Sequence, residues 1–86
     1  MYQIIFSKKA AKSLKKIPTH YQIQIKKKSE TLSVDPFKLD IKKLSSDYTA
    51  THRLRVGDYR LFLNVNIETR IIEIDDIERR TTQTYR

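Results

Sequence analysis

THRLRVGDYRLFLNV, Thr51 to Val65, is the stretch whose reading decides the fold. Two alternating runs flank Gly57-Asp58. Glycine at the first central position of a two-residue loop supplies the positive φ of a type II′ hairpin turn. The register follows by counting outward. Val56 should face Tyr59, Arg55 should face Arg60, Leu54 should face Leu61, and Arg53 should face Phe62. Strand side chains alternate between faces, so Leu54, Val56, Tyr59, Leu61, Leu63 and Val65 share one side. Arg53, Arg55 and Arg60 share the other with Phe62. Cations directly opposite each other in a ladder repel, so setting Arg55 against Arg60 points to a polyanion that sits there.

Upstream, Met1 to Phe6 is an apolar run suited to a strand. Ser7 is a good N-cap, and Ala10, Leu14 and Ile17 follow at helical spacing with Ala11 alongside. This helix should end near Pro18, because a residue before proline avoids the α region. Thr19 can cap a second helix from about His20 to Leu32, with Tyr21, Ile25 and Leu32 on one face and Ile23 off it. YQIQI also alternates as a strand would, but the Lys-Lys-Lys-Ser-Glu-Thr continuation favours helix. The short loop makes the pair an antiparallel hairpin. Val34 to Ala50 carries turn chemistry in Asp35-Pro36 and Ser45-Ser46-Asp47, and Phe37, Leu39 and Leu44 are expected to pin it to the core.

Downstream, a loop at Ile67-Glu68 would set Leu63 against Ile72, Leu61 against Ile74, Phe62 against Glu73 and Arg60 against Asp75. Glu78 to Arg86 reads as a polar tail. The expected architecture is a single α+β domain over residues 1–86 in the order β-α-α-β-β-β. An antiparallel sheet carries a helical hairpin on one face, and the arginine face stays open.

The 86 residues supply one core. With no cysteine, disulfides and thiolate metal sites are excluded, and a reducing compartment is the default. His20 and His52 lie far apart in sequence, so no metal and no other cofactor is expected. No apolar run approaches membrane-spanning length. In MYQIIFSKK the charges follow the apolar stretch, the reverse of a secretory signal, so a cytoplasmic protein is expected. The net charge of +8 points to nucleic acid, the ribosome or an acidic protein. All eleven lysines lie between Lys8 and Lys43, and all seven arginines lie between Arg53 and Arg86. Lysine is a solvated point charge, whereas arginine is a rigid fork that grips phosphate with paired hydrogen bonds. The first half therefore reads as an electrostatic surface, with Lys8, Lys9 and Lys12 as binding residues, and the second half as a specific site.

The element order, the HRLRVGDYRLFL block and the terminal basic-then-Tyr segment resemble the RelE/ParE superfamily of toxins from bacterial toxin–antitoxin modules. The resemblance spans nearly the whole chain and is closer to RelE. It implies a ribosome-dependent endoribonuclease that cuts mRNA in the decoding site and inhibits translation, with a cognate antitoxin as partner. It also implies a catalytic set of Arg53, Arg55, Arg60, a basic residue after the last strand (Arg79 or Arg80), and Tyr85, with Arg80 otherwise binding substrate. RelE-type sites often carry lysines where this chain has Arg53 and Arg55. They often carry Gly-His-Arg where it has Ile77-Glu78-Arg79. Alternation turns His52 toward the core.

Metal-free RNA cleavage uses the 2′-OH as nucleophile on its own phosphate. It needs deprotonation of that hydroxyl, charge stabilisation at the phosphorane and protonation of the 5′ oxygen. Arg60 with Arg55 or Arg53 would stabilise the phosphate, and Arg79 or Arg80 would brace the leaving group. Tyr85 would stack on a base or transfer a proton, and Asp75, across from Arg60, is either a base or an ion-pair partner that orients it. The alternatives are a ParE-like inhibitor of DNA gyrase, a degenerate toxin, and a nucleic-acid-binding module without catalysis.

Overall fold

A computed structural model gives the architecture, and it describes residues 1–79. The elements are β1 (Gln3–Phe6), α1 (Lys8–Lys15), α2 (Thr19–Val34), a 3-10 turn (Pro36–Lys38), β2 (Ile41–Lys43), β3 (His52–Val56), β4 (Tyr59–Asn66) and β5 (Ile71–Arg79). They form a five-stranded sheet in the order β1-β5-β4-β3-β2, with the helices on one face. The α+β class and the helical hairpin match the sequence pattern. Two details differ. Ile41–Lys43, expected within a turn-rich connection, pairs antiparallel with β3, and β1 runs parallel to β5.

Ser7 fixes that parallel edge. Its backbone N–H donates to the Ile74 carbonyl at 3.0 Å, and its hydroxyl donates to the Asp75 carbonyl at 2.6 Å. The same oxygen accepts from the Ala10 N–H at 3.0 Å, capping α1 as its residue type predicts. One side chain thus starts the helix and fastens it to the last strand. The second helix begins a residue earlier than expected. Pro18 is its N-cap and makes no side-chain cap, and Thr19 lies inside the first turn.

The central hairpin has the predicted register: Val56 against Tyr59, Arg55 against Arg60, Leu54 against Leu61 and Arg53 against Phe62. Gly57 sits at φ +57°, where an L side chain is strained. A Cβ there would also lie 2.6 Å from Cε1 of Tyr21, whose hydroxyl donates to Asp58 Oδ2 at 2.9 Å. Glycine therefore lets α2 close over the turn.

The β4–β5 register departs from expectation twice. Asn66 Oδ1 accepts from the N–H groups of Glu68 (3.0 Å) and Thr69 (3.1 Å), and Arg70 takes φ +60°, so the loop is longer than Ile67-Glu68. Leu63 consequently faces Ile74, not Ile72. A bulge at Asp75 then adds a residue, so that Phe62 faces Asp76, Leu61 faces Ile77 and Arg60 faces Glu78. The bulge has a simple cause. Ile74 and Ile77 are both buried though three apart, and an unbroken alternation cannot bury both.

The core joins Leu54, Leu61, Leu63, Ile72, Ile74 and Ile77 of the sheet to Ala10, Ile25 and Leu32 of the helices and to Ile17 in the turn between them. Phe37 does not pin the connection as expected. It is exposed, and Leu39 and Ile41 pack against the core instead. Among the described residues no helix is long and apolar enough to cross a membrane.

Candidate functional site

The face of the sheet turned away from the helices carries the candidate site. Arg53 and Arg60 are half-buried on it and Arg55 is exposed. The three come from adjacent antiparallel strands, with Arg55 and Arg60 as direct partners. Arg53 and Arg55 also line a notch with Lys42 and Asp40. The Arg60 Nε is shut off from solvent and has no hydrogen-bond partner among the described residues. With its stem packed against the sheet and its residue half-buried on the open face, Arg60 is held in place for an anion to meet its guanidinium.

Beside this ridge, β5 contributes carboxylates. Glu78 lies directly across from Arg60 and Asp76 across from Phe62. Asp76 is engaged from two directions. Its Oδ1 accepts the Ile77 N–H at 2.9 Å, and its Oδ2 lies 3.2 Å from Lys9 Nζ. Desolvation of the Glu78 carboxyl, reinforced by a hydrogen bond with Asp76 and its charge, raises the Glu78 pKa, while Arg60 and Lys9 pull it back. A hydrogen bond with Asp75 raises the pKa of Glu73 in the same way.

Asp75, Asp76 and Glu78 line a cleft of about 460 Å3 together with the aromatic rings of Tyr48 and Phe62. Tyr48 and Phe62 lie nearly parallel, with an interplanar angle of 19° and ring centroids 6.3 Å apart. Among the described residues no group of three or more His, Cys, Asp or Glu side chains could hold a metal ion.

The sequence-predicted residues divide accordingly. Arg53, Arg55 and Arg60 share the open face, while Lys8, Lys9 and Lys12 are exposed on α1. Arg79 does not join them. It pairs with Tyr59 on the helix-covered side, where its charge acts on the Tyr21 hydroxyl. The bulge is the reason, because it shifts the alternation of everything after Asp75. Arg80 and Tyr85 lie outside the described residues. Asp75, expected across from Arg60, is removed from it by the same bulge and accepts a hydrogen bond from the Asn64 side chain. His52 is on the core side, where burial and the charge of Lys43 lower its pKa. Sequence reasoning missed Glu78 as the neighbour of Arg60. The signal was available in the spacing of Ile72, Ile74 and Ile77, whose step from two to three marks an extra residue.

Comparison with known proteins agrees with this geometry. Residues 4–83 match the family model described as ParE toxin of type II toxin-antitoxin system, parDE. Toxin RelE3 of Methanocaldococcus jannaschii is 38% identical over 71 residues, covering 78% of this chain and 80% of the relative. Among solved structures, the archaeal RelE–RelB complex from Pyrococcus horikoshii OT3 superposes with TM-score 0.82 at 25% identity, covering 95% of this chain and 98% of that one. The RelB–RelE antitoxin–toxin complex from Methanococcus jannaschii gives TM-score 0.70 at 33% identity, covering 87% and 88%. Fold, arginine face and relatives converge: the chain belongs to the RelE/ParE superfamily of toxins of type II toxin–antitoxin modules, on its RelE side.

Proposed function

We propose that this toxin is a metal-independent, ribosome-dependent mRNA endonuclease held in check by a cognate antitoxin. The observation that carries the reading is the ridge of Arg53, Arg55 and Arg60 on a sheet face that the helices leave uncovered. Three guanidinium groups brought so close together repel one another, and a phosphate between them turns that repulsion into binding.

Arg60 is the phosphate-stabilising residue, with Arg55 and Arg53 beside it. Its half-buried side chain, on the open face, can turn its guanidinium toward the charge that builds on the phosphorane. Arginine stays protonated at working pH, so none of the three removes the 2′-OH proton. Asp75, already bonded to Asn64, is not the base either. Tyr85 is the group that the family resemblance offers for stacking or proton transfer. Since Arg79 lies across from Tyr59, Arg80 takes the part of the basic residue after the last strand. A site so poor in acid–base groups depends on an outside scaffold to orient the 2′-OH in line with its phosphate, and the ribosome supplies that. Lys8, Lys9 and Lys12 supply sequence-independent attraction to ribosomal RNA.

Relatives were solved as complexes with RelB antitoxins, which supports an antitoxin partner here. The family model bears the ParE name, which keeps a second reading in view: inhibition of DNA gyrase. Induced expression with mapping of mRNA 5′ ends against the reading frame decides between them. Ends falling at one fixed place within codons support the endonuclease. Intact mRNA with broken DNA and trapped gyrase would overturn it.

A further inference from the structure

The cleft beside the arginine ridge has the wrong chemistry for phosphate. It is lined by the rings of Phe62 and Tyr48, by the carboxylates of Asp75, Asp76 and Glu78, and by Lys9. Tyr48 is 53% exposed, so the offset aromatic pair presents a flat apolar surface to solvent. The carboxylates repel an anion, yet the cleft is not a free cation trap. Lys9 already pairs with Asp76 at 3.2 Å, Arg60 stands across from Glu78, and Asp75 is bonded to Asn64. What remains is a stacking surface facing a carboxyl acceptor in a charge-compensated pocket. That combination suits a flat, neutral ligand with N–H donors along one edge.

We propose that this cleft is a nucleobase subsite, in which a base stacks on the Tyr48–Phe62 pair and donates N–H hydrogen bonds to Glu78. The choice of ligand class rests on the RNA reading above, since the ridge next to the cleft would hold the phosphate of the same strand. Single-stranded RNA is read in this manner, by aromatic stacking together with hydrogen bonds to base edges. The acceptor also sets a preference. Guanine offers adjacent N1–H and N2–H donors to one carboxylate, cytosine and adenine offer an amino group, and uracil offers a single N3–H flanked by two carbonyl oxygens that repel the carboxylate. Guanine should bind best and uracil worst.

The test uses nucleosides, which have no phosphate, titrated into the isotopically labelled full chain and followed by NMR. Guanosine should shift the resonances of Tyr48, Phe62, Asp76 and Glu78 at lower concentration than uridine does. Tyr48→Ala, in an exposed loop where folding is not at stake, should weaken guanosine by about tenfold, the scale of one aromatic–base stack. Glu78→Gln should shrink the preference for guanosine over uridine and leave stacking in place. Equal binding of all four nucleosides, shifts confined to the arginine ridge, or indifference to Tyr48→Ala would each overturn the proposal. So would tighter occupancy of the cleft by arginine amide, which would make it a receptor for a cationic peptide. Because the assay involves no cleavage, a protein that never cuts mRNA could still pass it, and one that cuts every codon alike could still fail it.

Discussion

Arg55 and Arg60 face each other as direct partners across the β3–β4 ladder, two cations where a sheet would ordinarily place a neutral or opposite pair. Stability alone does not account for that placement; the proposed RNA phosphate would.

Arg60→Ala should therefore separate stability from activity. Removing a guanidinium that contacts phosphate in the transition state should slow single-turnover mRNA cleavage on programmed ribosomes by roughly a hundredfold. Ribosome affinity should change far less. The denaturation midpoint should hold, since the substitution relieves the repulsion with Arg55. Arg60→Lys should restore only part of the rate, because an ammonium lacks the fork. Cleavage at the parental rate by Arg60→Ala would make the residue structural.

Arg79→Ala should behave differently. Its place opposite Tyr59 puts it on the helix-covered side, so cleavage should fall less than about fivefold, under ~1 kcal/mol of barrier. A loss comparable to that of Arg60→Ala would return Arg79 to the site.

Leu61 has no solvent exposure. Leu61→Ala should cost about 2–5 kcal/mol in chemical denaturation, and Leu61→Asp should leave no cooperative unfolding transition. A folded Leu61→Asp protein would contradict the orientation of the hairpin.

Neutralising Lys8, Lys9 and Lys12 together should weaken ribosome binding and flatten its dependence on salt, since fewer counterions are released. Cleavage in the assembled complex should persist. Lys9 also pairs with Asp76, but at 74% side-chain exposure that ion pair adds little stability. An unchanged salt slope would mean the lysine helix only confers solubility.

The raised pKa of Glu78 carries a pH signature. A carboxyl whose folded-state value lies above its unfolded value adds stability that is full at low pH and is lost as pH rises through the folded value. Asp76, Asp75, Arg60 and Lys9 surround the group, and the upward influences prevail. Glu78→Gln should therefore gain on the wild type in denaturation midpoint as pH climbs above the ordinary glutamate value and through the raised one. The opposite slope would mean that attraction to Arg60 dominates.

How far the sequence could be read depended on whether a local rule held. Gly57-Asp58 specifies a two-residue loop, and every pair of the β3–β4 hairpin then follows by counting, the arginine ridge included. Ser7 announces a helix start by residue type alone. The second hairpin offers no such anchor. Its loop length depends on Asn66 folding back on its own backbone and on Arg70 accepting a left-handed conformation. The bulge at Asp75 depends on burial of both Ile74 and Ile77, a tertiary demand. Each slip is small along the chain, but together they exchange Asp75 for Glu78 as the neighbour of Arg60 and turn Arg79 to the other side. Nor could periodicity show β2, because Ile41–Lys43 is short and takes its place only once β3 offers an edge. The Tyr48–Phe62 cleft joins a loop to a strand and has no sequence signature.

The pairing of β1 with β5 also sets a timetable. Gln3–Phe6 is synthesised well before its ladder partner Ile71–Arg79. Contacts so distant in sequence cannot form on a partial chain. During translation the first strand has no edge to join, and Ser7 has no Ile74 or Asp75 carbonyl to hold. The arginine hairpin emerges onto a sheet still lacking the neighbour that flanks β4. A polypeptide whose proposed target is the ribosome therefore stays unassembled until its last strand has been made.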